Sequence, residues 1–452
     1  MILILSAFLR VSVVSFVEFS VSRVLVVLGA LVLAQCATAA NTYVATPSSY
    51  LGILSKLRPG DTLVLAPGRY REGLPVHDIN GAAGNPIVIR GSRDAPATLV
   101  ARLNASTIIS IVNSSHVEIR HLELDGRGLD VGAVKAEGYA AWAHHITLED
   151  LHIHSLGADQ QIVGISTKCP AWGWVIRNNV IVGAGTGMYL GQSDGSAPFV
   201  AGIIEHNLIV DSIGYNLQIK HQNGRPMITG MPEQKSVTII RHNVFAKSAN
   251  SSSGAMARPN LLVGHWPLFG PGAEDTYAIY GNFFYENPSE ALFQGEGNLA
   301  FYSNVLVNSF GDAIHIQPHN DVPRRVGVFH NTVLAANTGI RVTGGDLAYT
   351  QWVVANAVFA SAPIVGGEQH ANRTGPLAEA ADHLADPFAP LGLLDLAPKP
   401  GKLITEPVNS NLQPLLPDVN RDFDGRVYGS PVAGAYAGQG ARRLLIESRP
   451  PP

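Results

Sequence analysis

The stretch NVIVGAGTGMYLG, Asn179 to Gly191, decides the fold. An Asn opens it, a short apolar run follows, small residues make a turn, and a second short apolar run closes it. The unit returns as NLIVDSIGYNLQIK from Asn207, NVFAKSANSSSGAMA from Asn243, NFFYENPSEALFQG from Asn282 and NVLVNSFGDAIHIQ from Asn304. It continues as NTVLAANTGIRVTG from Asn331 and fades in NAVFASAPIV from Asn356. Intervals of 22, 27 and 25 residues separate Asn282, Asn304, Asn331 and Asn356, and the longer intervals read as the same unit with inserted loops. Runs this short cannot bury themselves, so successive units must bury one another. With no helical period between them, the pattern predicts an all-β chain wound as a single-stranded, right-handed parallel β-helix. An inward Asn suits that arrangement, because its amide can bond the backbone and the Asn above and below.

Two further coils are expected upstream, in HVEIRHLELDG from His116 and HITLEDLHIHSLG from His145. The opening segment fits a terminal cap: Pro47-Ser48-Ser49 can start a short helix that ends near Leu57, before Arg58-Pro59-Gly60. Regular repeats stop near Val365. The expected organisation is therefore residues 1–40 as a leader, 41–365 as the β-helix with its N-terminal helical cap, and 366–452 as a tail and C-terminal cap. Composition agrees: 15% of residues are charged, well below the roughly 25% of a typical globular protein. Net charge is −4 with no basic block, which argues against nucleic acid as a partner.

The leader reads as a secretory signal. VLVVLGALVLAQCATAA follows Arg23 and ends in Ala37-Thr38-Ala39, so cleavage is expected near Ala39 or Ala40 and the mature protein outside the cytoplasm. An apolar run from Met1 to Phe19 precedes it, and membrane contact is expected only through this segment if it stays uncut. Cys36 admits a lipoprotein reading, which Gln35 fits poorly. Beyond the leader only Cys169 remains, so no disulfide framework can form.

RPGDTLVLAPGRYREG, from Arg58, with GNPIVIRG, from Gly84, resembles the entry segment of secreted β-helix polysaccharide lyases, the alginate lyase and chondroitinase B group. DVNRDFDGRVYGSPVAGAYAG, from Asp418, resembles an end segment of such β-helix proteins. The resemblance implies an acidic polysaccharide substrate, a catalytic Lys on one coil and an Arg on the next. IKHQ and AMARP occupy comparable places, which carries those roles to Lys220 and Arg258. It also implies a Ca²⁺ held by acidic residues upstream of the lysine. Here that stretch, Ser212 to Leu217, has no carboxylate, so no cofactor is firmly expected.

Strand alternation points to a groove independently. With Met188, Leu190, Leu217, Ile219, Ile314, Ile316, Ile340 and Val342 inward, one outer lane displays Tyr189, Gln218, Lys220, Arg258, His315, Gln317 and Arg341. Lys220 and Arg258 are the catalytic candidates. Tyr189, Gln218, His265, His315, Gln317 and Arg341 are candidates for substrate binding, with Trp266 as a platform for a sugar ring. Such a lane suits β-elimination from a uronate: arginine grips the carboxylate with two bonds, and a lysine with a lowered pKa removes the C5 proton. C5 epimerisation shares that proton abstraction, and a binding scaffold without chemistry is the non-enzymatic alternative. His206, His242 and His330 precede repeat Asn residues, but no Cys or carboxylate completes a metal set. Asp194, Asp211 and Asp312 are scattered singly, where a glycoside hydrolase needs a carboxylate pair. The chain is expected to act as a monomer.

Overall fold

The computed structural model describes residues 40–93, 95–407, 416–438 and 444; the expected leader lies outside them except for Ala40. Among the described residues the strands form three parallel sheets, of 15, 12 and 11 strands, plus one antiparallel pair, Leu384–Asp386 with Asp395–Pro398. Each coil gives one strand to each sheet in turn. Ser114–Arg120, Glu123–Asp125 and Gly132–Ala136 make one such coil, and each pairs with its counterpart in the next. This is the parallel β-helix the repeats predict. Coil pairing runs on past Val365, through Arg373–Gly375. The expected helical cap is not evident: the chain there makes a single turn, Leu51–Leu54, whose neighbours Tyr50 and Leu57 join the core.

The corner between the first and second sheets is the repeating device. One residue takes a left-handed conformation, with φ of 55° at His206, 55° at His242, 63° at Gly281 and 53° at His330. Histidine and asparagine tolerate this region better than branched residues do. The turn it makes sends the following Asn inward. Asn179, Asn207, Asn243, Asn282, Asn304, Asn331 and Asn356 are all fully buried and chained by amide bonds. Nδ2 of each donates to Oδ1 of the next at 2.9–3.1 Å, and the chain ends on Asn372. The same Nδ2 atoms donate to the carbonyls of Leu148, Ile176, Ile204, Ile240, Ile279, Phe301 and Val328. Those seven residues form one fully buried column of the first sheet. His206 and His242 stack at 5.0 Å, while His330 stacks on Tyr428 of the C-terminal segment instead.

That segment decides which outer surface stays open. Leu396, Leu403, Phe423, Ala433 and Tyr436 pack on Leu208, Val244, Phe283, Val305 and Leu334, the outer face of the second sheet. Leu416 and Val419 pack near Tyr280, Tyr302 and Phe329, which stack on the outside of the first sheet at 4.8 Å. Among the described residues, neither of these clusters covers the outer face of the third sheet.

Replacing one Asn in mid-ladder removes several buried hydrogen bonds at once. Asn243→Ala leaves the Asn207 backbone N–H without its partner and takes one bond each from the Asn207 amide, the Ile204 carbonyl and Oδ1 of Asn282. At about 1–3 kcal/mol for the unsatisfied N–H and about 1 kcal/mol for each further lost bond, relaxation included, we expect a loss of about 3 kcal/mol or more. Asn372→Ala, at the half-buried end, should cost less than half as much. Urea unfolding of both variants measures this, and equal losses would contradict the ladder's role.

Candidate active site

The third sheet carries two outward lanes. In the first, register places Ser110, Lys135, Ser166, Tyr189, Gln218, Leu262, Gln294, His315 and Arg341 side by side. The second lies two residues further along each strand. Lys168 follows Thr167, which pairs with Leu190, and Lys220 follows Ile219, which pairs with Leu190 and Val263. Lys220 therefore sits between Gly191 and Gly264. A Cβ on Gly191 would lie 3.2 Å from Cβ of Lys220, and one on Gly264 would strike the His221 backbone at 2.4 Å. Glu296 and Gln317 continue this lane.

Lysines converge where the lanes meet. Nζ of Lys168 stands 3.5 Å from the ring centre of Tyr189. Burial, then the charges of Lys135 and Lys220, push Lys168 down to about 8. Burial lowers Lys220 as well, against the opposing pull of Glu296. Lys135 pairs with Glu137 at 2.8 Å, and Glu137 also accepts a hydrogen bond from Ser110. Burial raises the Tyr189 phenol, whose hydroxyl reaches Ser193 at 3.2 Å. The site thus offers a lysine that is partly neutral near pH 8, a phenol that keeps its proton, and further ammonium groups close enough to feel one another.

His221 borders this cluster. Its ring stacks on His265 at 5.3 Å, and its buried Nδ1 has no hydrogen-bond partner among the described residues. The loop that follows is pinned by a buried ion pair, Arg225 to Asp275 at 2.6 Å. Cys169, next to Lys168, is buried, and its thiol is pushed up to about 12, which rules out a thiolate nucleophile near neutral pH.

The other sequence candidates fall as follows. Gln218 is on the outer face but buried. His315 and Arg341 are neighbours in the first lane; Asp312 approaches His315 at 3.1 Å. Gln317 is half-buried in the second lane. His265 is buried, and its Nδ1 is engaged with the Trp266 carbonyl at 2.7 Å. Trp266 is 2% exposed and stacks on Tyr277 at 4.2 Å, so it is a core ring and offers no platform to a sugar.

Lys220 and Arg258 do not meet. Leu261 pairs with Leu217, so Arg258 precedes its strand while Lys220 follows the neighbouring one. That offset is six positions along the strand direction, about 20 Å of extended chain. Arg258 follows the 3₁₀ turn Gly254–Met256 and donates to the carbonyls of Ala255 and Ala257, with its guanidinium 5.8 Å from the Tyr215 ring centre. Buried Lys247 in turn holds the Arg258 carbonyl at 2.8 Å. Upstream of Lys220, buried Asn216 donates its Nδ2 to Ser212 Oγ and to the carbonyls of Ile209 and Ala246, and the stretch from Ser212 to Leu217 contains no carboxylate.

Lys135, Lys168 and His221 gather around Tyr189, itself a sequence candidate, and sequence reasoning did not single out those three. A signal existed: Lys168 ends its strand at the same offset as Lys220 does.

No protein-family model matches the chain, and no curated protein does. Solved structures do. The pectate lyase Pel9A superposes with a TM-score of 0.51 at 13% identity, over 88% of this chain and 96% of that one. The GH136 lacto-N-biosidase from Eubacterium ramulus gives 0.51 at 10% identity, over 74% of this chain and 68% of that one. The PL6 alginate lyase AlyGC gives 0.45 at 14% identity. The first two likenesses show the fold, which this chain shares with a pectate lyase and with a glycoside hydrolase.

The lysine cluster makes its own prediction. Lys168 should react with an amine-acylating reagent with a midpoint near pH 8, against about 10.4 for an ordinary lysine. Lys220→Gln removes a neighbouring positive charge and should move that midpoint upward. Residue-resolved mass spectrometry reads both, and a Lys168 midpoint of about 10.4 would refute the clustering.

Proposed function

We propose that this protein cleaves an acidic, uronate-containing polysaccharide by β-elimination on the outer face of the third sheet. The observation that carries this reading is the ammonium of Lys168 over the ring of Tyr189, among Lys135 and Lys220. Elimination needs a base at C5, positive charge at the carboxylate and a proton for the departing oxygen. Neutral Lys168 takes the C5 proton. The electron pair left on C5 forms the C4–C5 double bond, and the C4–O bond breaks. Tyr189 gives its proton to the departing oxygen. Lys220 and Lys135 neutralise the carboxylate, whose negative charge grows as the C5–H bond breaks, so their help is greatest in the transition state. This assigns Lys220 an electrostatic part and gives Arg258 none in the chemical step. His315, Gln317 and Arg341 lie further along the same face and would hold more distant sugars. Coils rise about 4.8 Å each, so a chain lying across them meets a new pair of side chains at every step.

The likeness in fold to a pectate lyase supports this substrate class. The leader supports a secreted or periplasmic site of action, where such polymers are met. Among the described residues no helix is long and apolar enough to cross a membrane.

The test is a panel of uronate polymers assayed for the ultraviolet absorbance of unsaturated uronate. Lys168→Ala and Tyr189→Phe should each lower kcat/KM by about 10²- to 10⁴-fold, the usual worth of a general base or acid. Because Lys168 acts unprotonated and its pKa is lowered to about 8, kcat/KM should rise with pH through about 8 and then level. Changed uronate composition without absorbance would favour the epimerase. Saturable binding with neither would favour the scaffold. Full activity in Lys168→Ala would remove this site.

A further inference from the structure

Consecutive residues of a strand point to opposite faces, so two adjacent histidines should not share a side. His144 and His145 do. His145 takes a left-handed conformation, φ 51°, within the strand Ala143–Glu149, and this brings its Nδ1 to 2.8 Å from Nδ1 of His144. The coil before repeats the kink at His116, φ 52°, and that ring stacks on His145 at 4.5 Å. One ring nitrogen from each of the three lies within 4.8 Å of the others.

We propose that His116, His144 and His145 form a site for a divalent transition-metal cation, bound by three imidazoles with a fourth position open to water or an outside ligand. Imidazole nitrogen suits Zn²⁺, Cu²⁺ and Ni²⁺ and suits Ca²⁺ or Mg²⁺ poorly. A tetrahedral ion with bonds of about 2.0–2.1 Å needs its nitrogens about 3.4 Å apart, so the widest pair has to close by at most about 1.4 Å. Closure is a matter of ring rotation, because the backbone already sets all three on one side.

Two further observations support the site. His144 is held in place: it stacks on buried Trp172 at 4.4 Å and leans on Trp142 at 4.9 Å. Next to His145 in the following coil stands Gly173, φ 64°, where any Cβ would lie 3.0 Å from Cδ2 and Nε2 of the His145 ring. Glycine at this position keeps that edge of the His145 ring uncrowded. A second group, Glu123 with His152 and His154, is less suited: its carboxylate oxygens already engage the Thr98 hydroxyl and His154. The inference is independent of the proposed elimination, whose residues lie on the third sheet.

The test uses untagged full-length protein, stripped with chelator and dialysed. Titration with Zn²⁺, Ni²⁺ or Co²⁺ should show one equivalent bound, and Co²⁺ should give the visible bands of an ion with nitrogen ligands. Loss of an outer-shell partner costs about 10- to 100-fold in metal affinity. His116→Gln and His145→Gln, each removing a ligand, should therefore weaken binding by about 100-fold or more, and the double variant should abolish it. Both surround rather than support the tryptophan stack, and circular dichroism checks that they fold. Glu123→Gln with His154→Gln should leave binding unchanged. Absence of a stoichiometric ion in the parent protein would overturn the proposal, as would binding that survives the double histidine variant or is lost with the Glu123 and His154 pair.

Discussion

The chain of buried amides at the first corner is the constraint on which the rest depends. A carboxamide carries both donors and an acceptor, so one Asn per coil can satisfy its own polar atoms and those of its neighbours only if every coil is in register. From Asn179 to Asn372 this holds at each step. A slip of one residue would invert every strand and drive these amides out of their partners' reach. The apolar column from Leu148 to Val328 supplies the burial energy, and the amides bonded to its carbonyls supply the register.

Register is what makes a site possible on this scaffold. Each coil offers the third sheet only two or three outward side chains, so chemistry has to be collected from several coils. Lys135, Lys168, Tyr189 and Lys220 come from four separate coils and meet because pairing holds equivalent positions one strand spacing apart. Glycine at 191 and 264 then leaves Lys220 without tall neighbours. The C-terminal segment contributes by exclusion, since it covers the outer faces of the other two sheets.

The fold was legible because its period is written in an uncommon residue. A buried Asn in a fixed place has few other uses, and alternation of apolar residues around Met188, Leu217, Ile314 and Ile340 assigns the faces correctly. The site was legible only in part. Lys168 lies in a coil that begins with Leu151, before the Asn ladder starts, so the pattern used to align coils did not reach it. Arg258 lies apart from Lys220 for the opposite reason: an insertion between Val244–Ala246 and Leu261–Val263 makes GAMAR look like a strand, while the strand follows it. Trp266 and His265 look like loop residues, yet the segment folds back on Tyr277 and buries both. Long-range closure of this kind leaves no local trace in sequence.

The account's central claim is that an acidic glycan lies across the third sheet, over Tyr189. A crystal structure of Lys168→Ala with a uronate oligosaccharide tests it most directly. The account predicts a sugar carboxylate beside Lys220 and Lys135, a ring next to Tyr189, and further sugars toward His315 and Arg341. Oligosaccharide bound on another face, or at the Arg258 edge with Tyr189 untouched, would contradict it.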